Sequence, residues 1–320
     1  MNDTNAVVVL AQVTFTACTG LCTIFDLMLI ICVLRMKLAG NKRNPFSYII
    51  FMGIIGFNAK VVCLILIDSV PIANYISPVD GYDRFRAFLG KQLTIIGTHA
   101  YLSPLCLNVL MTIHRVWVML KPFDTKMFSE ARLFLYCSVI VIVVFISLLI
   151  PYLSPCYIVL DTRIGSFVSG CAPDRHPITL FQNKYAIWLP ITAMFINFAI
   201  IGKMKFRRLK DTISVASTGS QKSRENIMIR QAAFIAAWLS VYELINLCIR
   251  SFPEIYVKIP KEYQYSFFCF RMFFVYSLNF FIYFVETKST RQMVLKFLGI
   301  ECTNRRRTVV ITVSNTVTAT

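Results

Sequence analysis

The chain is short of charge, and shorter still of acid. Only 15% of its 320 residues are charged, and 16 acidic side chains face 33 basic ones. Mean hydropathy is +0.64 and 57% of the residues are hydrophobic, which is too apolar for a soluble domain of this length. Histidine is scarce. The three that occur, at 99, 114 and 176, have no metal-ligand spacing. His-Glu-x-x-His, Gly-x-Ser-x-Gly and the phosphate-binding glycine loop are all missing. These absences leave no enzyme signature, so no catalytic residue, metal or cofactor is expected.

What the chain does have is hydrophobic length. Seven apolar blocks cover roughly residues 7–34, 45–67, 93–119, 133–153, 185–202, 227–249 and 265–285. A bilayer core about 30 Å thick needs about 20 apolar residues of helix, because open structures in lipid leave backbone groups unpaired. Residues 1–6 lack the basic residue of a secretory leader, and the first apolar run is longer than a leader core, so it reads as a retained span. With the N-terminus outside, the inner segments carry 22 Lys and Arg and the outer ones eight. That asymmetry orients the chain N-out and C-in. The expected fold is an all-α membrane protein, a seven-transmembrane helix bundle over residues 1–300 with a disordered cytoplasmic tail over 301–320. The net charge of +17 then lies beside anionic membrane lipids, and nucleic acid is not an expected partner.

Individual residues add detail. Asn2-Asp3-Thr4 is an Asn-x-Thr glycosylation acceptor at the outer end, on Asn2. Gly53 and Gly56 allow close approach of a neighbouring helix. Pro104, Pro151 and Pro190 interrupt spans and either open space for a ligand or are ordinary transmembrane prolines. Of the 11 cysteines, Cys156 and Cys171 alone lie in an outer loop where an oxidising compartment can bridge them, so a disulfide between them is expected. The inner loop 203–230 is basic at both ends and rich in Ser, Thr and Gly in the middle. Residues 288–300 place Met293, Val294, Phe297 and Leu298 on one helical face, which suits a short interfacial helix, and Cys302 beyond it is a palmitoylation candidate.

Asp26, Lys60, Glu243, Arg250 and Arg271 fall within spans or at their rims, where an ionisable group costs several kcal/mol and turns inward to a partner. Glu243 and Arg271 lie at similar depth on the sixth and seventh spans. They form a candidate ion pair, either purely structural or at the floor of an outward-facing cavity. Asp26 and Asn58, with Asn279, form a second candidate polar cluster. At the inner end of span three, Arg115 lies seven residues before Pro122; it is an interfacial cation or a coupling residue.

These residues together resemble the rhodopsin-like G-protein-coupled receptors, and most closely the nematode serpentine chemoreceptors, class xa. His114-Arg115-Val116 with Pro122 is similar to the inner end of the family's third helix. Phe234 and Trp238 match the Phe-x-x-x-Trp of helix six, with Ser240 in place of its proline. Asn279 and Tyr283 match Asn-Pro-x-x-Tyr, with Phe280 for proline. Pro190 matches the helix-five proline. Departures are equally specific. The helix-three cysteine falls at Gly90, so a bridge within the second outer loop replaces the usual one. His114 cannot hold Arg115 as a carboxylate would. Gly97 stands where amine receptors carry aspartate and Phe273 where opsins carry lysine, which argues against a biogenic amine and excludes a photopigment.

The resemblance implies a chemosensory receptor of the plasma membrane, with the sensory cilium as one setting. It would bind an extracellular small molecule through His99, Tyr101, Glu243, Asn246 and Arg271 and activate a heterotrimeric G protein through His114, Arg115 and Pro122. Phe234, Trp238, Asn279 and Tyr283 would act as the activation switch. A peptide receptor of the same fold is an alternative, as is a transporter or channel, although no inverted repeat or broken half-helix pair is visible.

Overall fold

The structure is a computed structural model. It describes residues 3–38, 46–76, 80–121, 126–161, 166–211, 251–277, 280–281 and scattered positions between 234 and 249 and between 291 and 299. Helix α1 runs Asp3–Leu38 and α2 Phe46–Ile76. A short α3, Gly81–Phe85, passes through a π-helical turn, Arg86–Gly90, into α4, Lys91–Leu120. Next come α5, Glu130–Leu153, a hairpin of β1, Ile158–Asp161, and β2, Ser166–Ser169, then α6, Pro177–Tyr185, and α7, Trp188–Asp211. Described positions between 234 and 249 are helical, and α8, Pro253–Lys258, and α9, Lys261–Tyr276, follow. Five helices among the described residues are long and apolar enough to cross a membrane: Val8–Arg35, Tyr48–Ser69, Gly81–Leu120, Glu130–Leu153 and Pro177–Lys203.

Helices run further than the apolar blocks alone suggest. The stretch 68–92, expected to be an outer loop, holds the end of α2, then α3 and the π turn. Polar residues there do not forbid helix, since a helix needs internal hydrogen bonds and not lipid. Likewise α7 continues through the basic run to Asp211. Pro190, expected near the outer third of span five, is the third residue of α7, where a missing N–H costs little. The interruption of that span falls between α6 and α7. Pro104 lies inside α4, and Pro151 in the last turn of α5.

The first two helices are antiparallel and knitted along their length. Near one end Thr16 donates to Asp68 at 3.1 Å. Further along, Lys60 donates to Asp26 in an ion pair whose side chains are both fully buried. Beyond it a Cβ on Gly53 would come within 2.9 Å of Ile30, so glycine there sets the helix separation. Asp26 therefore finds Lys60, not the Asn58 expected from the sequence, and Asn58 is exposed. An ammonium costs far more in lipid than a carboxamide, so α2 rotates to bring Lys60 inside. Asn279 lies outside the described residues.

The core is a set of side chains turned into the bundle. One cluster joins Phe25, Leu29, Cys32 and Val33 of α1 to Leu102 and Leu105 of α4, and to Val144 and Leu148 of α5. Val294 belongs to the same cluster and lies at a helical position, so the expected interfacial helix presses one apolar residue into the bundle, while Leu298 is exposed. Gly299, at φ +73°, adopts the left-handed conformation that commonly follows a helix end. On the far side α5 presents Leu135, Val139, Ile142, Val143, Ile146 and Ile150 outward, a face with no counterpart in a soluble protein and suited to lipid.

Replacing Lys60 by Met leaves a buried carboxylate uncompensated and should cost about 3–5 kcal/mol. Adding Asp26→Leu should recover most of that loss. Thermal unfolding midpoints of the detergent-solubilised single and double variants measure the difference, and equal losses in both would reject the coupling.

Candidate functional site

Three regions carry polar and aromatic chemistry: an aromatic lock inside the bundle, a cap at the hairpin end, and the Arg115 end of α4.

The lock is centred on Trp238. Its indole stacks on Phe274 of α9 with centroids 4.0 Å apart and planes 8° from parallel, and its Nε1–H donates to the Phe274 carbonyl at 2.8 Å. Phe281 lies 4.7 Å from the indole and Phe234 5.4 Å. Phe280 meets Phe281 at 5.7 Å and Phe25 of α1 edge-on at 5.2 Å. An indole is mostly apolar with one donor, so it is retained in a core only where that donor is answered. Ser240, one of the family-pattern departures, is buried and its hydroxyl lies 2.9 Å from the Met194 sulfur of α7. Phe234 and Trp238 are thus brought together, while Asn279 and Tyr283 lie outside the described residues. Sequence reasoning missed Phe274 and Phe281. The dense aromatic run 267–281 was the available signal.

Beside the lock, α4 and α7 share a polar contact. Asn197, fully buried, donates to the Thr112 hydroxyl at 3.3 Å, which donates to the Asn108 carbonyl at 2.9 Å. Neither residue was singled out from the sequence.

The cap is the segment between α5 and α6, expected to be an irregular loop. It forms an antiparallel hairpin, β1 (Ile158–Asp161) on β2 (Ser166–Ser169), which adds a small β element to the expected all-α fold. Cys156 and Cys171 are joined by a disulfide at its base. A Cβ on Gly170 would meet the Pro155 carbonyl at 2.5 Å, so only glycine fits beside the bridge. Asp161 accepts from Arg86 at 2.7 Å and from the Tyr82 hydroxyl at 3.3 Å, and the Leu160 N–H donates to Thr94 of α4 at 2.9 Å. The Lys91 ammonium sits over the rings of Tyr152 and Tyr157, 4.4 and 4.3 Å from their centroids. Attraction of a cation to two ring faces ties the start of α4 to the end of α5 and to the hairpin.

Of the proposed ligand residues, His99 is spoken for by α5. Its Nε2 donates to the Val141 carbonyl at 3.1 Å and its ring meets Phe145 edge-on at 5.6 Å. Tyr101 is half-buried against the α1 and α5 cluster. Two residues apart on a helix, the two side chains point to nearly opposite faces and do not converge. Glu243 and Asn246 lie outside the described residues, as does the side chain of Arg271, and so does the expected Glu243–Arg271 pair. At the other end of α4, His114 stacks on Phe128 at 4.6 Å and Arg115 is half-buried beside it. Lys121 covers the Trp117 ring at 4.8 Å. Pro122, Asn2 and Cys302 lie outside the described residues. No group of three or more metal-ligating side chains occurs among the described residues.

Apolar helices that cross a bilayer, with polar and aromatic side chains gathered inside, define a multi-pass helical membrane protein. The family model for Caenorhabditis serpentine receptor-like protein, class xa, matches residues 43–198. Serpentine receptor class XA 10 of Caenorhabditis elegans is 32% identical over 319 aligned residues, spanning 93% of this chain and 94% of the relative. The chain belongs to the class xa serpentine receptors and is a chemoreceptor-like membrane receptor.

Trp238→Phe keeps the stack but removes the donor, and should cost about 1 kcal/mol of stability, read as a lower unfolding midpoint; an unchanged midpoint would assign the contact to stacking alone. Cys156 and Cys171 close a separation of 15 residues. Their loss should cost about 3 kcal/mol on chain-entropy grounds, and should abolish the linked peptide in non-reducing mass mapping.

Proposed function

We propose that this receptor crosses the plasma membrane seven times, N-terminus outside, binds an extracellular small molecule and activates a heterotrimeric G protein. The observation that carries the reading is family membership over nearly the whole chain together with Arg115, a half-buried cation five residues from the end of α4. A cation seated there, in a helix end rimmed by His114, Trp117 and Lys121, is placed to accept a partner's carboxylate or carbonyl group once neighbouring helices part. His114 is held by its stack on Phe128, so in this reading an aromatic contact replaces the usual carboxylate latch.

Ligand contact is proposed at Tyr101, Glu243, Asn246 and Arg271. His99 has its role in holding α4 to α5. Phe234 and Trp238 of the aromatic lock, with Asn279 and Tyr283, would act as the activation switch that reports ligand occupancy to the sixth helix, since a ligand shifts the equilibrium by its differential affinity for the two states. A sensory cilium is the setting that fits such a receptor.

The test is nucleotide exchange on co-expressed heterotrimeric G proteins, with and without a panel of volatile and water-soluble compounds. Arg115→Ala, at unchanged surface expression, should lower exchange by roughly tenfold or more, as expected for loss of a charge-assisted contact. Exchange no higher with the wild-type chain than with empty membranes, or undiminished by the substitution, would overturn the reading.

A further inference from the structure

Leu160 sits where loop residues seldom reach. It is 4% exposed and packs in one cluster with Phe15 of α1, Leu66 and Ile67 of α2, Leu93 of α4, and Phe268 and Cys269 of α9. Four helices therefore contribute to an apolar cluster that takes in a side chain none of them supplies. The backbone beside it is equally committed. The Leu160 N–H donates to the Thr94 hydroxyl, which donates to the Gly90 carbonyl at 2.6 Å. What the hairpin inserts is thus one isobutyl group and one hydrogen-bond donor, and the acceptor waiting for that donor belongs to α4. The next residue, Asp161, is clamped by Arg86 in a part-buried ion pair and by the buried Tyr82 hydroxyl, so the inserted group is held beside the cluster by polar bonds.

We propose that this four-helix crevice is a binding site for a small branched apolar molecule carrying one O–H or N–H donor, and that Leu160 is its resident occupant. The inference deepens the receptor reading by naming a ligand class, and depends on it only for the hairpin end facing outward. The ligand replaces what Leu160 provides: branched carbon for the apolar walls and a donor for Thr94 Oγ1. A strongly charged molecule is rejected, because the walls contributed by Phe15, Leu66, Ile67, Leu93 and Phe268 answer no charge. Since ligand and Leu160 compete for one space, apparent affinity is reduced by the fraction of receptors in which the hairpin has withdrawn, and removing the side chain should strengthen binding.

Cys269, 2% exposed in the same cluster, reports on the crevice. The full-length receptor in lipid nanodiscs is treated with the small neutral reagent methyl methanethiosulfonate, and modification of Cys269 is timed by peptide mass mapping. Leu160→Ala should accelerate modification by about tenfold or more, and 3-methylbutan-1-ol should return the rate towards that of the wild type, while 2-methylbutane, which lacks the donor, should protect far less. In the unmodified receptor the same alcohol should speed hydrogen exchange at the Leu160 amide by displacing it from Thr94, a measurement that stands if the variant does not fold. An unchanged Cys269 rate in a folded Leu160→Ala receptor, no protection by the alcohol, or no change in amide exchange would overturn the proposal. None of these readouts involves a G protein, so their failure leaves the Arg115 reading untouched, and failure of nucleotide exchange leaves the crevice untouched.

Discussion

Hydrocarbon offers no partner to a backbone amide, and every other feature of this receptor follows from that constraint. Once the backbone is satisfied within each helix, the polar side chains carry the remaining cost. Asp26 and Lys60 show how that cost is met. Two fully buried charges on adjacent antiparallel helices neutralise each other, and their pairing fixes both the rotation and the axial register of α2 against α1. The close contact of Ile30 with Gly53 along the same seam requires that register. A bulkier residue at Gly53 would push the helices apart where the ion pair needs them together. Packing and electrostatics thus specify one arrangement. This matters more in lipid than in water, because apolar side chains there gain little by choosing one neighbour over another.

Where the chain leaves the hydrocarbon, a different logic applies. At the hairpin end the disulfide, the Arg86–Asp161 bridge and the Lys91 ammonium over two tyrosines act on one short segment. The disulfide is the largest of the three, and the part-buried ion pair and the cation–ring contacts add to it. Their value lies in aim. They hold β1 so that Leu160 points into the bundle, and the apolar walls of α1, α2, α4 and α9 close around it. The hairpin is thus fastened by polar bonds through Asp161 and by an apolar anchor through Leu160.

Much of this was readable in advance, and the failures have physical causes. Hydrophobic length located the five helices long and apolar enough to cross a membrane among the described residues, because the bilayer imposes it. Cys156 and Cys171 stood out because the remaining cysteines lie in apolar spans or in the tail. The partner of Asp26 was misassigned because Asn58 and Lys60, two residues apart, lie on nearly opposite faces, and the hydrophobic pattern of a helix apolar all round does not reveal which face is buried. The relative cost of an ammonium and a carboxamide in lipid would have settled it. The hairpin escaped notice because strands of four residues have no periodicity to read. The side of α4 on which His99 lies was equally illegible, since nothing in 93–119 marks the face that meets α5.

The aromatic lock shows how such an interior can be both cohesive and movable. A stack of two rings 8° from parallel resists separation but tolerates lateral sliding, because dispersion varies slowly as faces shift across one another. A hydrogen bond does not tolerate it, weakening steeply as its angle departs from linear. Trp238 makes both with the same residue, its ring on the Phe274 ring and its Nε1–H on the Phe274 carbonyl. Between Trp238 and Phe274 the hydrogen bond therefore fixes the angle, while the stack tolerates sliding. Phe281, Phe280 and Phe25 extend the same ring surface to α1, so displacement at Trp238 is felt by the helix that carries Asp26. On the other side of the lock, the Ser240 hydroxyl against the Met194 sulfur links the same helical stretch to α7, while the buried, mutually neutralised Asp26 and Lys60 hold α1 to α2.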